Sequence, residues 1–272
     1  MHVERFESAL WATTSLLVVS GDEAIAVDPC ISSEEVRQIA ACATELGAHV
    51  THVLATHADW DHVCGIAAFP DAVATMSEGT AKRLRAVDAG ERVAEQAARY
   101  GVAVAGAPRV DRTLTPGVAL DLGPFVVETL PLRGHTPDGT AYRLRTLDVL
   151  AVGDHLSAVE FPFASSTADY RLTLAGLVDL LRNDPPARVF PGHGPELSAD
   201  AALAIAEKDL AYLHALRDAV ASTVRSDDRA GARKAGLAVP LPREAPSDLS
   251  AARAANVEAQ LAELVPTGTR AR

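Results

Sequence analysis

Apolar and polar positions alternate along this chain in blocks that predict short strands and longer helices. TSLLVVS at 14–20 and EAIAVD at 23–28 are apolar and partly β-branched, and the turn residues of SGDE between them predict a hairpin. ISSEEVRQIAACATELG then offers a serine N-cap, acids in the first turn, apolar Val36, Ile39, Ala40 and Ala43, and a closing Gly47, which together predict a helix. AHVTHVLAT alternates and then runs apolar, as a strand covered in part on both faces does. AVATMS predicts another strand, and residues 77–101 read as helical with an interruption near Gly90.

Further strands are predicted in GVALDLGPFVVETLPL, GTAYRLRTLD and VLAVGD, joined by Gly, Pro and Asp turns. A helix over TADYRLTLAGLVDLLRND, a strand at ARVFPG and a long helix from Ala199 to Val224 follow. Residues 225–246 mix charge with Pro and Gly and read as a linker or surface loop. Beyond them Leu249, Val257, Leu261 and Leu264 keep helical spacing, so a C-terminal helix should dock back on the body, with PTGTRAR as a frayed tail. Strands outnumber those of a regular βαβ alternation, which predicts sheets flanked by helices. The expected organisation is one domain over 1–224, with 225–272 a linker and helix packed on it.

Composition narrows the function classes. Hydrophobic residues at 48% and charged residues at 22% are ordinary for a globular protein. A formal charge of −11 without a dense Lys/Arg run argues against nucleic acid as a partner. The first twenty residues do not read as a signal peptide, and no apolar run reaches the roughly 20 residues that span a bilayer. Cys30, Cys42 and Cys64 form no CxxC pair, so a cytoplasmic protein without a disulfide framework is expected.

The chemistry is concentrated in VLATHADWDHVCG, which places His57, Asp59, Asp61 and His62 directly after an apolar run. Neither a helix nor a strand puts all four on one face, whereas a loop leaving a strand end can aim them into one small volume. Close carboxylates repel, and a dipositive metal relieves the repulsion directly. Three more strand ends carry similar groups beside glycine: His135 in LRGHTPDG, Asp154 in AVGDH and His193 in FPGHGP.

In this order the four motifs resemble those of the metallo-β-lactamase-fold hydrolases, which include glyoxalase II-like thioesterases and lactonases, over roughly residues 10 to 220. The resemblance implies an α/β (α+β) fold, a four-layer αββα sandwich here carrying a C-terminal helical extension, with a binuclear metal site at the sheet edge. Carried over, His57, Asp59 and His135 are the implied ligands of one metal, Asp61, His62 and His193 those of the second, and Asp154 the bridge. Asp61 is also the implied catalytic proton acceptor. The family pattern has a second histidine where this chain has Asp59, a harder ligand that shifts preference from Zn towards Fe or Mn. Two divalent ions, Zn first and Fe or Mn as alternatives, are the expected cofactors.

The implied function is hydrolysis of a small ester, thioester, lactone or amide. The alternatives are a metal-binding relative without turnover and a non-heme di-iron redox protein. Flavodiiron proteins carry a glutamate at the Asp59 position, but no phosphate-binding loop for a flavin is evident here. A small-molecule substrate is the expected partner, and the long helices are compatible with a homodimer. Trp60 either packs beneath the ligand loop or stands at the pocket mouth. Residues 77–109 serve as a lid or simply cover a sheet, and Phe161, Phe163 and Tyr170 line a groove or fill a core. His155 is a candidate substrate or supporting group, whereas His2, His49, His52 and His214 read as packing or surface residues and Cys64 as a small buried one. Arg133, Arg143 and Arg145 are candidates for attracting an acidic substrate.

Overall fold

The computed structural model of the 272-residue chain describes residues 1–224, 228–244 and 250–264. It is a mixed α/β protein with two sheets and, among the described residues, eight α-helices. These divide between two compact units. The first comprises Met1–Pro131, Asp138–His155 and Pro186–Ser198, and the second the described residues of Leu132–Pro137, Leu156–Pro185 and Ala199–Arg272.

The first unit holds both sheets. Strands β1 (His2–Glu7), β2 (Thr14–Ser20), β3 (Glu23–Val27), β4 (His49–Ala55), β5 (Val73–Ser77) and β6 (Arg112–Leu114) lie side by side in chain order. The pairs β3–β4, β4–β5 and β5–β6 are parallel, and β1–β2–β3 are antiparallel. The second sheet runs β11 (Arg188–Phe190), β10 (Val149–Ala151), β9 (Thr140–Leu144), β8 (Phe125–Pro131), β7 (Leu120–Leu122), with only β10–β11 parallel. β1 and β6 are absent from the sequence-based assignment. Polar and charged residues dominate β1, which occupies a sheet edge, and β6 has only three residues.

Alternation sorts the side chains. On β2, β3 and β4, Leu17, Val19, Ala24, Ala26, Val53 and Ala55 face one apolar cluster, together with Val36 and Ile39 of α1 (Ser33–Glu45). Their neighbours Leu16, Val18, Ile25, Val27 and Leu54 join Phe125, Val127, Tyr142, Leu144 and Phe190 of the other sheet in a second cluster. Period-two burial on both faces is what a central sheet between helices and another sheet requires. The N-terminus of α1 is closed by the capping box of Ser32 and Glu35, each side chain accepting the other residue's backbone N–H.

After the short α2 (Trp60–Val63), residues 77–109 form α3 (Glu78–Leu84) and α4 (Ala89–Arg99). Ala81, Leu84 and Val93 lie in the first cluster, so this segment covers the sheet. The helical break falls at 85–88, and Gly90 lies within α4.

The second unit is helical: α5 (Thr167–Asn183), α6 (Ala199–Val224), α7 (Arg229–Ala238) and α8 (Ser250–Leu264). The linker reading of 225–246 is corrected by α7, whose N-cap Asp228 accepts the Gly231 N–H. Gly236 lets α7 approach α8, since a Cβ there would lie 2.9 Å from Val257 Cγ1. Of the glycines that suggested a loop, Gly236 therefore serves helix packing and Gly231 lies against the N-cap Asp228. α8 packs on other helices of this unit, burying Val257 and Leu261; Leu249 and the tail lie outside the described residues.

Phe161 and Tyr170 are core residues of this unit, with Phe161 edge-on to Phe163 and near Tyr212. Asn256 is fully buried; it accepts the Ala164 N–H at 2.8 Å and donates to the Pro162 carbonyl at 2.6 Å. Asn256 of α8 thus takes up backbone groups of the loop at Pro162 and Ala164.

Asp209 on α6 is buried and takes a guanidinium hydrogen bond from Arg243. Burial pushes its carboxyl up to about 7, with Arg243 pulling in the opposite direction. The unfolded chain ionises this carboxyl near pH ~4 while the folded chain keeps its proton towards pH ~7, so the group's contribution to stability falls as pH rises through that window. The stability difference between wild type and Asp209→Asn should therefore shift against wild type by about 1 kcal/mol or more between pH 4 and 7, measured by urea unfolding. A constant difference over that range would show that Asp209 stays ionised.

Candidate metal centre

All six first-unit candidates sit beyond the C-terminal ends of parallel strands, where strand termini leave room for loops to converge. His57, Asp59, Asp61 and His62 follow β4, Asp154 follows β10, and His193 follows β11. The glycines next to them are required by space. A Cβ on Gly192 would lie 2.3 Å from Asp154 Oδ1 and 2.9 Å from His62 Cε1, and Gly153 has φ +50° with Thr56 against it.

Donor atoms converge on one another. Asp154 Oδ1 lies 3.0 Å from His62 Nε2, and its Oδ2 lies 3.6 Å from His57 Nε2 and 3.4 Å from His193 Nε2. Asp61 Oδ2 is 3.5 Å from His62 Nε2 and 3.4 Å from His193 Nε2, and Asp59 Oδ2 is 3.7 Å from His57 Nε2. Ligand atoms at about 2.0–2.2 Å from a shared tetrahedral ion stand about 3.3–3.6 Å apart, so this spacing fits divalent metal. The groups His57, His62, Asp154 and Asp61, His62, His193 each gather their donors in this way.

The imidazoles are oriented from behind. His62 Nδ1 lies 3.0 Å from Asp28 Oδ2. His57 Nδ1 lies 3.0 Å from Thr56 Oγ1, whose hydroxyl donates to Asp28 Oδ2 at 2.6 Å, while Asp28 Oδ1 accepts the Thr56 N–H at 2.7 Å. His193 Nδ1 donates to the Trp11 carbonyl at 3.1 Å. With the Nδ1 atoms turned outward, the Nε2 lone pairs are left for a metal.

Burial works against a proton on His62, yet the Asp154 and Asp61 carboxylates hold its pKa well above the ordinary histidine value. The buried carboxylates demand a positive charge, supplied either by that proton or by a dication.

The seventh candidate, His135, belongs to the second unit. Its Nδ1 donates to the Phe163 carbonyl at 3.0 Å, and Ser165 N–H donates to the Gly134 carbonyl at 2.8 Å. Gly134 has φ +121° and packs against the Tyr170 backbone, so the loop accepts no side chain at that point.

Asp28, Thr56, Arg83 and Asp138 were not singled out from sequence. Asp28 shares the signal that marked Asp154, a carboxylate ending an apolar strand, but its neighbour is Pro29 and it is not flanked by Gly or His. The remaining candidates resolve simply. Trp60 is half-buried, its ring parallel to Tyr100 at 5.7 Å and edge-on to Trp11 at 5.6 Å. His155 is buried, and burial raises the Cys64 thiol to about 12, so no thiolate forms there. Arg143 is buried, whereas Arg145 is exposed and pairs with Glu128.

Residues 9–193 match the model of the metallo-beta-lactamase superfamily, and the chain belongs to that family. The hydroxyacylglutathione hydrolase of Acidiphilium cryptum (strain JF-5) is 28% identical over 184 residues, covering 67% of this chain and 64% of that protein. The chain's match thus spans just under two thirds of that relative's length. The metallo-beta-lactamase family protein TTHA1429 from Thermus thermophilus shares the fold with a TM-score of 0.70 at 19% identity, over 96% of this chain and 92% of that one. TTHA1623, solved in a di-iron-bound form, gives a TM-score of 0.56 at 25% identity, over 73% of this chain and 96% of that one.

Asp28→Asn keeps a residue type that tolerates the observed φ of 46° and an acceptor for the Thr56 N–H, but removes the charge behind His62. It should weaken zinc binding by about 10–100-fold in chelator competition. Unchanged affinity would show that Asp28 serves only the fold.

Proposed function

We propose that this protein is a metal-dependent hydrolase acting on a small ester, thioester, lactone or amide, with a thioester as the first candidate. The observation that carries the reading is the position of Asp154, whose two oxygens face different imidazoles at 3.0 to 3.6 Å, as a carboxylate shared between two ions would. The thioester preference rests on the relative named as a hydroxyacylglutathione hydrolase, since an acylglutathione is a thioester.

In this reading Asp61, His62 and His193 would hold one ion, His57 and Asp59 would serve a second, and Asp154 would be shared by both. His135 is proposed as a further ligand from the order of the motifs alone. Divalent ions at such a site acidify water to near pH ~7 and polarise a carbonyl, so a serine or cysteine nucleophile is not needed. Asp61 is buried, and its carboxylate is the proposed proton acceptor. Asp28 and Thr56 keep His57 and His62 in one tautomer, and the glycines at 153 and 192 keep side chains out of the reacting volume.

Zinc is the proposed metal. Iron or manganese is the alternative that Asp59 favours, and the di-iron form of TTHA1623 supports it. With iron and an electron donor the same donor set would serve redox chemistry, which is the second reading. A small molecule is the proposed partner, and a homodimer remains part of the proposal. A cytoplasmic setting and no nucleic-acid partner are inferred from the free cysteines and the charge of −11. No helix among the described residues is long and apolar enough to cross a membrane.

The test is metal analysis of protein purified without added metal, then turnover of chromogenic ester, thioester, lactone and phosphodiester substrates after stripping and reloading with Zn, Mn or Fe. Asp154→Ala should abolish turnover and reduce bound metal while leaving most of the fold, read by circular dichroism. Full turnover with both metals retained would overturn the bridging role. Two bound metals in wild type without turnover of any class would favour the redox or binding alternatives.

A further inference from the structure

Asp59 departs from the family's histidine, and it is held by more than its loop. Arg83, on α3, donates from Nη2 to Asp59 Oδ1 at 2.7 Å and from Nη1 to Asp138 Oδ1 at 2.6 Å. The buried Asp138 also accepts the Ala58 N–H at 3.0 Å through its other carboxylate oxygen, and its carbonyl accepts the Ser77 hydroxyl at 3.0 Å. One guanidinium thus joins the ligand loop, α3 and the Asp138 turn, all within the first unit. The oxygen of Asp59 that faces His57 Nε2 is Oδ2, the one that Arg83 does not take.

A carboxylate in an imidazole's place differs in two ways. It carries a negative charge, and it has two oxygens where the ring has one inward nitrogen, so it can chelate or turn aside. A planar guanidinium bound to one oxygen removes both differences: it offsets charge and leaves a single donor in a fixed direction. Asp138 keeps Arg83 in place by taking its other nitrogen, which a lysine could not reproduce.

We propose that Arg83 is a positioning residue for the metal centre, fixing Asp59 as a single-oxygen, charge-compensated ligand in place of the family's second histidine. This rests on the reading of Asp59 as a ligand, and the experiment separates the two. Full-length wild type, Arg83→Met, Arg83→Lys, Asp59→His, Asp59→Ala and the double variant Asp59→His with Arg83→Met are titrated with zinc against a competing chelator. Stoichiometry comes from elemental analysis, the ligand field from cobalt absorption, and folding from thermal melts.

Arg83→Met should weaken the more loosely held zinc by about 10–100-fold and alter the cobalt spectrum, with Arg83→Lys in between. The double variant should bind within about threefold of Asp59→His alone, because an imidazole needs no clamp. Arg83→Met that binds like wild type overturns the proposal. So does a double variant that loses as much relative to Asp59→His as Arg83→Met loses relative to wild type, since Arg83 would then act through the fold. Arg83→Lys supplies the comparison if the methionine variant melts early. If Asp59→Ala retains both zincs at wild-type affinity, the ligand reading itself fails and takes this proposal with it. A loss in Asp59→Ala without one in Arg83→Met leaves the ligand standing and removes Arg83.

Discussion

The Asp28 carboxylate is the group on which the order of the centre depends. It ends β3, its backbone N–H donates to the Leu54 carbonyl of β4, and its two oxygens take the Thr56 amide, the Thr56 hydroxyl and the His62 ring. A buried carboxylate is stable only when its lone pairs are taken, and here the partners that take them are those that aim the site histidines. The same bonds join the ends of two parallel strands, so the first sheet and the candidate metal centre are held by one set of contacts.

That economy follows from where parallel strands end. β3 and β4 run side by side, as do β10 and β11, and the loops that leave each pair begin as neighbours. Each loop contributes short polar side chains, and glycine lets the backbones close to within van der Waals contact of them. The apolar clusters on the two faces of the first sheet keep those strand ends in register, since a one-residue slip would turn every buried side chain outward. Packing of Leu54 and Phe190 between the sheets is thus a condition for the convergence of side chains at their ends.

Electrostatics give the centre its character. Asp28, Asp61 and Asp154 are held in a volume with little water, opposed by imidazoles that carry no charge of their own when neutral. Asp59 adds a fourth carboxylate, and this one comes with its own cation in Arg83. The candidate centre therefore divides into a buried part, whose carboxylates face imidazoles, and a more exposed part, where Arg83 meets the charge of Asp59.

Much of this was legible in one dimension. Apolar, partly β-branched runs about a turn marked β2 and β3, alternation marked β4, a serine N-cap followed by acids marked the start of α1, and the density of His and Asp at 57–62 marked the candidate centre, because each signal is local and falls within a few residues. The partners Arg83 and Asp138 carried no such signal, and Asp28 ended an apolar strand without the flanking Gly or His that marked Asp154. They meet the ligand loop across 24 to 80 residues of chain, and nothing in the spacing of an isolated Asp or Arg says what it will touch. α7 was hidden for a related reason: its glycines look like breakers until Val257 is seen packed against one of them. The sequence by itself determined which residues can ligate a metal and which faces must be buried, because those follow from side-chain chemistry and local period. Which polar groups stand behind the ligands, and how each charge is balanced, was decided only when the sheets brought distant strand ends within hydrogen-bonding distance.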